Sequence, residues 1–108
     1  MKKGELWNLN FPSIGGREQS GIRPCIIIAD TVIDLVIVVP LTSNVYSLNL
    51  PNTFEIKKSN KNNLEKDSFA LVFQIQSLDK KRLISKIGEL EENLIKQLNI
   101  SMKELLKV

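Results

Sequence analysis

Apolar and polar positions alternate along the first part of the chain in a pattern that predicts short β-strands. Residues 5–11 alternate roughly between apolar and polar, which is typical of a half-buried strand. Residues 24–29 and 35–39 are dense in Ile and Val and predict two buried strands. Residues 30–34 are expected to turn the first of these back on the second as a hairpin, and Pro40 is expected to end the second strand.

The second half of the chain continues this pattern and then changes period. Residues 53–57 predict an edge-type strand, residues 68–76 a longer one, residues 77–83 a short capped helical turn and residues 85–87 a brief last strand. Beyond Gly88 the apolar residues recur at helical spacing and predict a C-terminal helix, with Ser101 capping a final short turn.

Together these elements predict a mainly β fold with a C-terminal helix. About six short, mostly antiparallel strands are expected to form a small barrel or a partly open barrel. A length of 108 residues suits one domain spanning residues 1–108, and the apolar fraction of 43% argues against disorder.

Charge and cysteine content narrow the partners and the compartment. A formal charge of +3 is compatible with a phosphate-backbone partner without identifying one. A single cysteine excludes an internal disulfide and a cysteine-cluster metal site, which fits a reducing cytoplasm. The N-terminus has no apolar region typical of a signal peptide, and the apolar stretch 25–39 is shorter than the ~20 residues of a spanning helix and contains two aspartates. We therefore expect a cytoplasmic protein with no membrane partner.

The complete absence of histidine constrains any catalysis. Histidine is the usual acid or base at neutral pH and the commonest metal ligand. Chemistry in this chain must therefore use carboxylates, Arg, Lys, Ser, Thr, Tyr or amides, and we expect neither a metal nor a cofactor. Cys25 heads a buried strand and has no histidine to activate it, so it is not expected to act as a nucleophile.

Four segments resemble the MazF/PemK family of toxins, also called Kid-like, from type II toxin–antitoxin systems. Each segment alone is a weak signal, but the four follow one another in the family's order along nearly the whole chain. They are Gly4-Glu5-Leu6-Trp7 with Asn10-Phe11-Pro12, residues 15–24 (GGREQSGIRP), residues 38–43 (VVPLTS), and residues 74–83 (QIQSLDKKRL) followed by Ile87-Gly88-Glu89-Leu90. Two departures are Gln76, where the family usually has Arg, and a hairpin between Pro24 and Pro40 that looks shorter than is typical.

The resemblance implies an SH3-like barrel that forms a homodimer and acts as an mRNA interferase. Such a toxin is an endoribonuclease that cleaves single-stranded RNA at short sequences without metal, through attack by the substrate's 2'-hydroxyl. A cognate antitoxin, whose C-terminal segment wraps the dimer and fills the RNA cleft, is also implied. Two alternatives remain: a toxin of the same fold that binds a protein, as gyrase poisons do, or a cleavage-dead binding module. Arg23, Thr42 and the glycine-rich loop ending at Gly21 favour RNA cleavage.

Within this resemblance Arg23 and Thr42 are the first catalytic candidates. A guanidinium meets phosphate oxygens with a fork of donors, so Arg23 is expected to stabilise charge on the phosphorane; the alternative is a rim arginine paired with a carboxylate such as Glu18. The Thr42 hydroxyl is expected to donate to a phosphate oxygen, with Ser43 assisting; the alternative is a turn threonine bonded to its own backbone. Glu18 is the candidate base for the 2'-hydroxyl, or else a loop acid paired with an arginine.

Further residues are predicted to contact RNA. Gln19 and Gln74 are candidates for reading base edges, which single-stranded RNA exposes to amide side chains. Arg17 and Gly21 belong to the glycine-rich loop and are expected to contact the substrate. Phe11 is a candidate for stacking a base, although an aromatic residue on a strand is more often part of the core. The Lys-, Ser- and Asn-rich run from residue 57 to 66 and the cations of residues 80–82, capped by an aspartate, are expected to be solvated surface.

Overall fold

A computed structural model describes residues 1–13 and 20–108 of the chain. Its regular elements are seven strands followed by one α-helix, with short 3-10 turns between them. The elements in these two ranges are β1 (Glu5–Phe11), β2 (Gly21–Asp30), β3 (Leu35–Thr42), β4 (Thr53–Ile56), β5 (Ser68–Leu71), β6 (Gln76–Asp79), β7 (Leu83–Glu89) and α1 (Glu92–Leu106). The predicted first strand has the observed bounds, and the predicted hairpin is confirmed as β2 and β3.

The strands form one antiparallel sheet that curls into a partly open barrel. Its order is β4-β5-β3-β2-β1-β7, and β6 also pairs with β3. The first half of β3 pairs with β6, whereas Leu41 and Thr42 at its end pair with β5. No pairing joins the edge strands β4 and β7 in the described part of the chain. The expected mainly β, barrel-like fold with a C-terminal helix is therefore confirmed.

Both faces of the central strands are buried, which explains their nearly continuous apolar sequence. Along β2, Ile26 belongs to a core cluster covered by α1, and Cys25 and Ile27 belong to a second cluster on the opposite face. All three side chains are fully buried. Leu98 and Leu90 close the first cluster from the helical side. The helix therefore completes the core on one face of the sheet.

The prediction that Pro40 ends its strand is wrong, because β3 continues through Pro40 to Thr42. Val38 pairs with Gln76 of β6 and Leu41 pairs with Ala70 of β5. Pro40 therefore lies where β3 changes its outer partner, and its missing N–H coincides with an interruption in that ladder.

Residues 68–76 form no single strand, in contrast to the prediction. β5 ends at Leu71, a 3-10 turn occupies Val72–Gln74, and β6 begins at Gln76. A continuous apolar run does not distinguish a strand from a buried corner. The predicted helical turn is shorter than expected and spans Lys80–Arg82. Its predicted cap is confirmed, because the Asp79 carboxylate accepts a hydrogen bond of 2.8 Å from the Lys81 N–H.

The C-terminal helix is continuous, and the predicted cap at Ser101 is wrong. Ser101 lies inside α1 and is 9% exposed. The helix ends instead where Lys107 adopts a left-handed conformation and its N–H donates to the Lys103 carbonyl at 2.8 Å. Packing of one apolar face on the core overrides a weak capping signal in mid-helix. Within the described ranges no helix is long and apolar enough to cross a membrane.

The long connection between β4 and β5 is fixed by the fully buried side chain of Asn62. The Asn62 Nδ2 donates to the Lys57 carbonyl at 2.9 Å and to Glu91 Oε1 at 3.2 Å. Its Oδ1 accepts from the Ser59 N–H at 2.9 Å and from the Leu64 N–H at 3.1 Å. One amide therefore links Lys57, Ser59 and Leu64 of the connection to Glu91 at the start of α1. It also satisfies groups that burial would otherwise leave unpaired.

Replacing Asn62 with alanine should destabilise the protein by roughly 3 kcal/mol, because partners buried around the amide lose their hydrogen bonds. The measurement is urea unfolding followed by circular dichroism. Asn60→Ala is the matched control, since Asn60 lies on the same connection with an exposed side chain. Equal unfolding midpoints for the two variants would show that Asn62 does not hold this connection.

Candidate active site

Arg23 and Thr42 lie near the same end of the paired strands β2 and β3. The antiparallel register places Cys25 opposite Pro40, and Arg23 and Thr42 each lie two residues beyond this pair. Both line one pocket of about 170 Å³. Its walls come from residues 22–24 of β2, residues 41–43 at the end of β3, and residues 64–66 with Ser68 before and within β5. The structure thus brings the two leading candidates together.

The guanidinium of Arg23 is oriented by the backbone next to the glycine-rich loop. Its Nε donates to the Ser20 carbonyl at 2.8 Å, and the side chain is half-buried. Among residues 1–13 and 20–108, its two terminal nitrogens meet neither a carboxylate nor another acceptor. One donor therefore fixes the plane of the group, and no described residue engages the fork of terminal donors, whose geometry suits a phosphate.

Thr42 is held by a local turn, and this turn leaves its hydroxyl proton available. The side chain is 7% exposed, and its Oγ1 accepts a hydrogen bond of 3.2 Å from the Asn44 N–H. This is the backbone-bonded turn threonine that the sequence left as an alternative. The bond uses a lone pair of the oxygen, and the described residues offer the O–H no acceptor. The turn therefore positions a donor toward the pocket without consuming it.

Two smaller residues shape the approach to the pocket. Ser43 is exposed and lines the pocket next to Thr42. Gly21 begins β2 with a φ of +79°, a conformation that side chains rarely adopt. Among the described residues other than its two chain neighbours, no atom lies within 4 Å of a Cβ at this position, so the positive φ is the reason for glycine here. Gly21 therefore sets the path by which the chain enters β2, two residues before Arg23.

Other predicted site residues lie elsewhere or outside the described residues. Phe11 is 2% exposed and packs in the second core cluster, so it has no free ring face and is assigned to the core instead of to base stacking. Gln74 closes the 3-10 turn after β5, is half-buried and does not line the pocket. Arg17, Glu18 and Gln19 belong to residues 14–19, which lie outside the described residues.

The third wall of the pocket was missed by sequence reasoning. Glu65, Lys66 and Ser68 line it together with Leu64. The Ser68 hydroxyl donates to the Lys66 carbonyl at 3.0 Å, which fixes the chain as it enters β5. These residues end a polar run whose composition predicts only solvated surface. Nothing local in the sequence indicates that the run folds back beside Arg23, because that contact is made by the sheet order.

Cys25 and Asp30 have altered pKa values whose causes are structural. Burial raises the pKa of the Cys25 thiol to about 12, and the side chain is fully buried. Hydrogen bonds from Lys80 and from the N-terminal amine lower the pKa of Asp30 at the far end of β2. No cluster of three or more potential metal-ligating side chains occurs in the described ranges.

Comparison with known proteins decides the family. Residues 2–106 match the family model described as a PemK-like, MazF-like toxin of type II toxin–antitoxin system. The chain belongs to this family. It is 36% identical over 103 residues to a protein of Staphylococcus saprophyticus subsp. saprophyticus named Endoribonuclease MazF, with 92% of this chain and 85% of that protein covered.

Two solved structures share the fold of the chain. MazF (Form-I) from Deinococcus radiodurans superposes with a TM-score of 0.76 at 24% identity, covering 98% of this chain and 94% of that one. An endoribonuclease from Mycobacterial species, solved in complex with its cognate antitoxin, gives a TM-score of 0.74 at 17% identity with the same coverage. At these identities the likeness establishes the MazF fold over nearly the whole chain.

The buried thiol of Cys25 should be inert in the native protein. Only the thiolate reacts readily with disulfide reagents, and burial disfavours that form. The native protein is therefore expected to consume almost no Ellman's reagent at mildly alkaline pH, whereas the same protein in guanidinium chloride consumes one equivalent per chain. Rapid reaction of the folded protein would contradict the assignment of Cys25 to the core.

Proposed function

We propose that this chain is the toxin of a type II toxin–antitoxin pair and that it is a metal-independent endoribonuclease acting on single-stranded RNA. Membership of the toxin family and the 36% identity to Endoribonuclease MazF support this function. The observation that carries it is the pocket that the guanidinium of Arg23 and the hydroxyl of Thr42 line together, the terminal nitrogens of Arg23 having no acceptor among residues 1–13 and 20–108.

The proposed reaction uses the substrate's own 2'-hydroxyl as the nucleophile. The 2'-oxygen attacks the adjacent phosphorus, the bond from phosphorus to the 5'-oxygen breaks, and a cyclic phosphate and a 5'-hydroxyl result. The 2'-proton passes to a base and the leaving 5'-oxygen takes up a proton. Negative charge develops on the non-bridging oxygens during this step, and the protein must stabilise it.

Arg23 and Thr42 supply the stabilising donors. The terminal nitrogens of Arg23 bind the non-bridging oxygens, and the hydroxyl of Thr42 donates to one of them. A guanidinium retains its proton in nearly all proteins, so the main role of Arg23 is electrostatic. The proposed base is a carboxylate. Glu18 is the candidate from the glycine-rich loop, and Glu65 is a second candidate because it lines the same pocket.

The proposed assembly is a homodimer in the cytoplasm, paired with a cognate antitoxin. The mycobacterial endoribonuclease of the same fold was solved with its cognate antitoxin. An antitoxin segment that covers the pocket would keep Arg23 and Thr42 from the substrate. A single buried thiol, with no disulfide to lose, is compatible with a reducing compartment.

Cleavage of RNA in EDTA tests the proposed reaction. Purified protein is incubated with a mixed-sequence single-stranded RNA and with an all-deoxy copy, and only the RNA should be cut. Arg23→Ala and Thr42→Ala should each lower kcat/KM by about 10²–10³, the usual loss for one donor to a developing oxyanion. Thr42→Ser is the matched control, because it keeps the hydroxyl and should retain most of the activity.

Two outcomes would reject this function. Cutting of the all-deoxy copy would exclude the 2'-hydroxyl as the nucleophile. Growth arrest in cells without cleavage of any RNA would point to a toxin that acts by binding a protein.

The variants Glu18→Gln and Glu65→Gln identify the base. Only the variant that lacks the base should lose the acidic limb of the pH profile of kcat/KM.

A further inference from the structure

We propose that the connection between β4 and β5 carries a second RNA subsite, in which Lys58 binds a phosphate and Asn60 reads a base beside the cleaved linkage, while Lys66 binds a phosphate from the adjoining wall of the pocket of Arg23 and Thr42. The ligand class is a nucleotide of single-stranded RNA that flanks the scissile phosphate. This proposal rests on the proposed function, since it extends the path of the same substrate.

The pocket of Arg23 and Thr42 is contiguous with a second pocket on the connection between β4 and β5. Beside the pocket of Arg23 and Thr42 lies a second one of about 380 Å³, a size within the range of small-ligand sites. Leu64 and Glu65 line both pockets and form the ridge between them. A strand of RNA whose scissile phosphate contacts Arg23 therefore reaches the second pocket by crossing this ridge.

The connection formed by residues 57–67, which is the wall of this subsite, is held rigidly by hydrogen bonds, although its composition is that of a surface loop. The buried Asn62 anchors it from within, as described above. In addition, the Lys58 N–H donates to Asp67 Oδ1 at 2.8 Å, and Asn63 Nδ2 donates to the Ile87 carbonyl at 3.1 Å. Fixed groups bind without the entropic cost of ordering a loop, so this wall is suited to recognition.

The lysines of this connection have no ion-pair partner among residues 1–13 and 20–108. Residues 57–67 contain four lysines against two carboxylates, and all four lysines are exposed. In the described part of the chain none of these four forms an ion pair. In contrast, Lys80 pairs with Asp30 and Arg82 donates to the Asn10 carbonyl at 3.1 Å. Two of the three cations of the turn at residues 80–82 are thus tied to the fold, whereas Lys58 and Lys66 form no ion pair with the described residues and can meet phosphates.

The chemistry of the second pocket favours RNA over an acidic peptide as its occupant. Asn60 lines it with an exposed amide that has no hydrogen-bond partner among the described residues. An amide presents both a donor and an acceptor, which matches the edge of an unstacked base. An acidic peptide would use the lysines but would leave this amide without a specific role.

The test measures binding separately from cleavage. The probe is a short mixed-sequence RNA in which every 2'-hydroxyl is methylated, so that the proposed nucleophile is blocked. Its affinity is followed by fluorescence anisotropy over a series of salt concentrations. Lys58→Gln/Lys66→Gln should weaken binding about tenfold and flatten the slope of log K against log salt by about 1.4, which corresponds to two phosphate contacts on a single strand.

The matched control is Lys96→Gln/Lys103→Gln, which removes the same charge from exposed positions of α1. It should leave the affinity and the salt slope near those of the unaltered protein. With cleavable RNA, Lys58→Gln alone should raise KM with little change in kcat, because it acts away from the reacting phosphate. Asn60→Ala should change the base preference at one flanking position of a randomised RNA and leave the salt slope unchanged.

Equal affinities and salt slopes for the two double variants would overturn the subsite. It would also be overturned if Lys58→Gln/Lys66→Gln bound the methylated RNA normally but lost affinity for a glutamate-rich peptide, since the wall would then serve an acidic protein partner. If the unaltered protein cuts no RNA, yet the loss of binding and of salt slope is seen, the subsite stands and the proposed cleavage fails. The two proposals are therefore tested independently.

Discussion

The antiparallel pairing of β2 with β3 is the constraint on which the rest of this molecule depends. Both core clusters meet on β2, so the two strands are buried on both faces, and a shift in register would move Ile and Val side chains out of their packing positions in both clusters. The same register fixes Arg23 and Thr42 relative to each other near one end of the hairpin. The position of the proposed catalytic pair is therefore stabilised by the burial of the core, and no separate interaction between the two side chains is needed.

The third wall of the pocket depends on a different kind of interaction. The segment from Lys57 to Lys66 has little apolar surface to bury, so hydrogen bonds must hold it. The Asn62 amide supplies them, and Gly88 of β7 lets the segment approach closely, because a Cβ there would lie 2.6 Å from the carbonyl oxygens of Lys61 and Asn62. The Glu89 N–H then donates to the Lys61 carbonyl at 3.1 Å. One buried amide and one glycine thus place a polar wall beside the pocket.

The strands and site residues that could be predicted from the sequence are those marked by a local pattern of side chains or by a motif. The alternation of residues 5–11 and the dense Ile and Val of the hairpin predicted β1, β2 and β3, since each of these strands depends on its own side chains. The Arg23 and Thr42 pairing followed from the resemblance, and the structure places both in one pocket. Corners were missed at Val72–Gln74 and at Pro40, because a change of sheet partner leaves no period in the sequence. The Glu65 and Lys66 wall was missed for a similar reason, since the contact joins segments far apart in the chain.

The local geometry also explains how a site without histidine is organised for its chemistry. Each proposed donor residue makes one hydrogen bond with the backbone. The Arg23 Nε–H donates to the Ser20 carbonyl, and the Thr42 Oγ1 accepts from the Asn44 N–H. These bonds fix orientation, and no other described residue engages the remaining donors, so little reorganisation is needed when charge develops on the substrate. Such a site contributes mainly positioning and electrostatic stabilisation, which a guanidinium and a hydroxyl can supply. In the proposed reaction, proton removal falls to a carboxylate, Glu18 or Glu65, because the chain has no histidine.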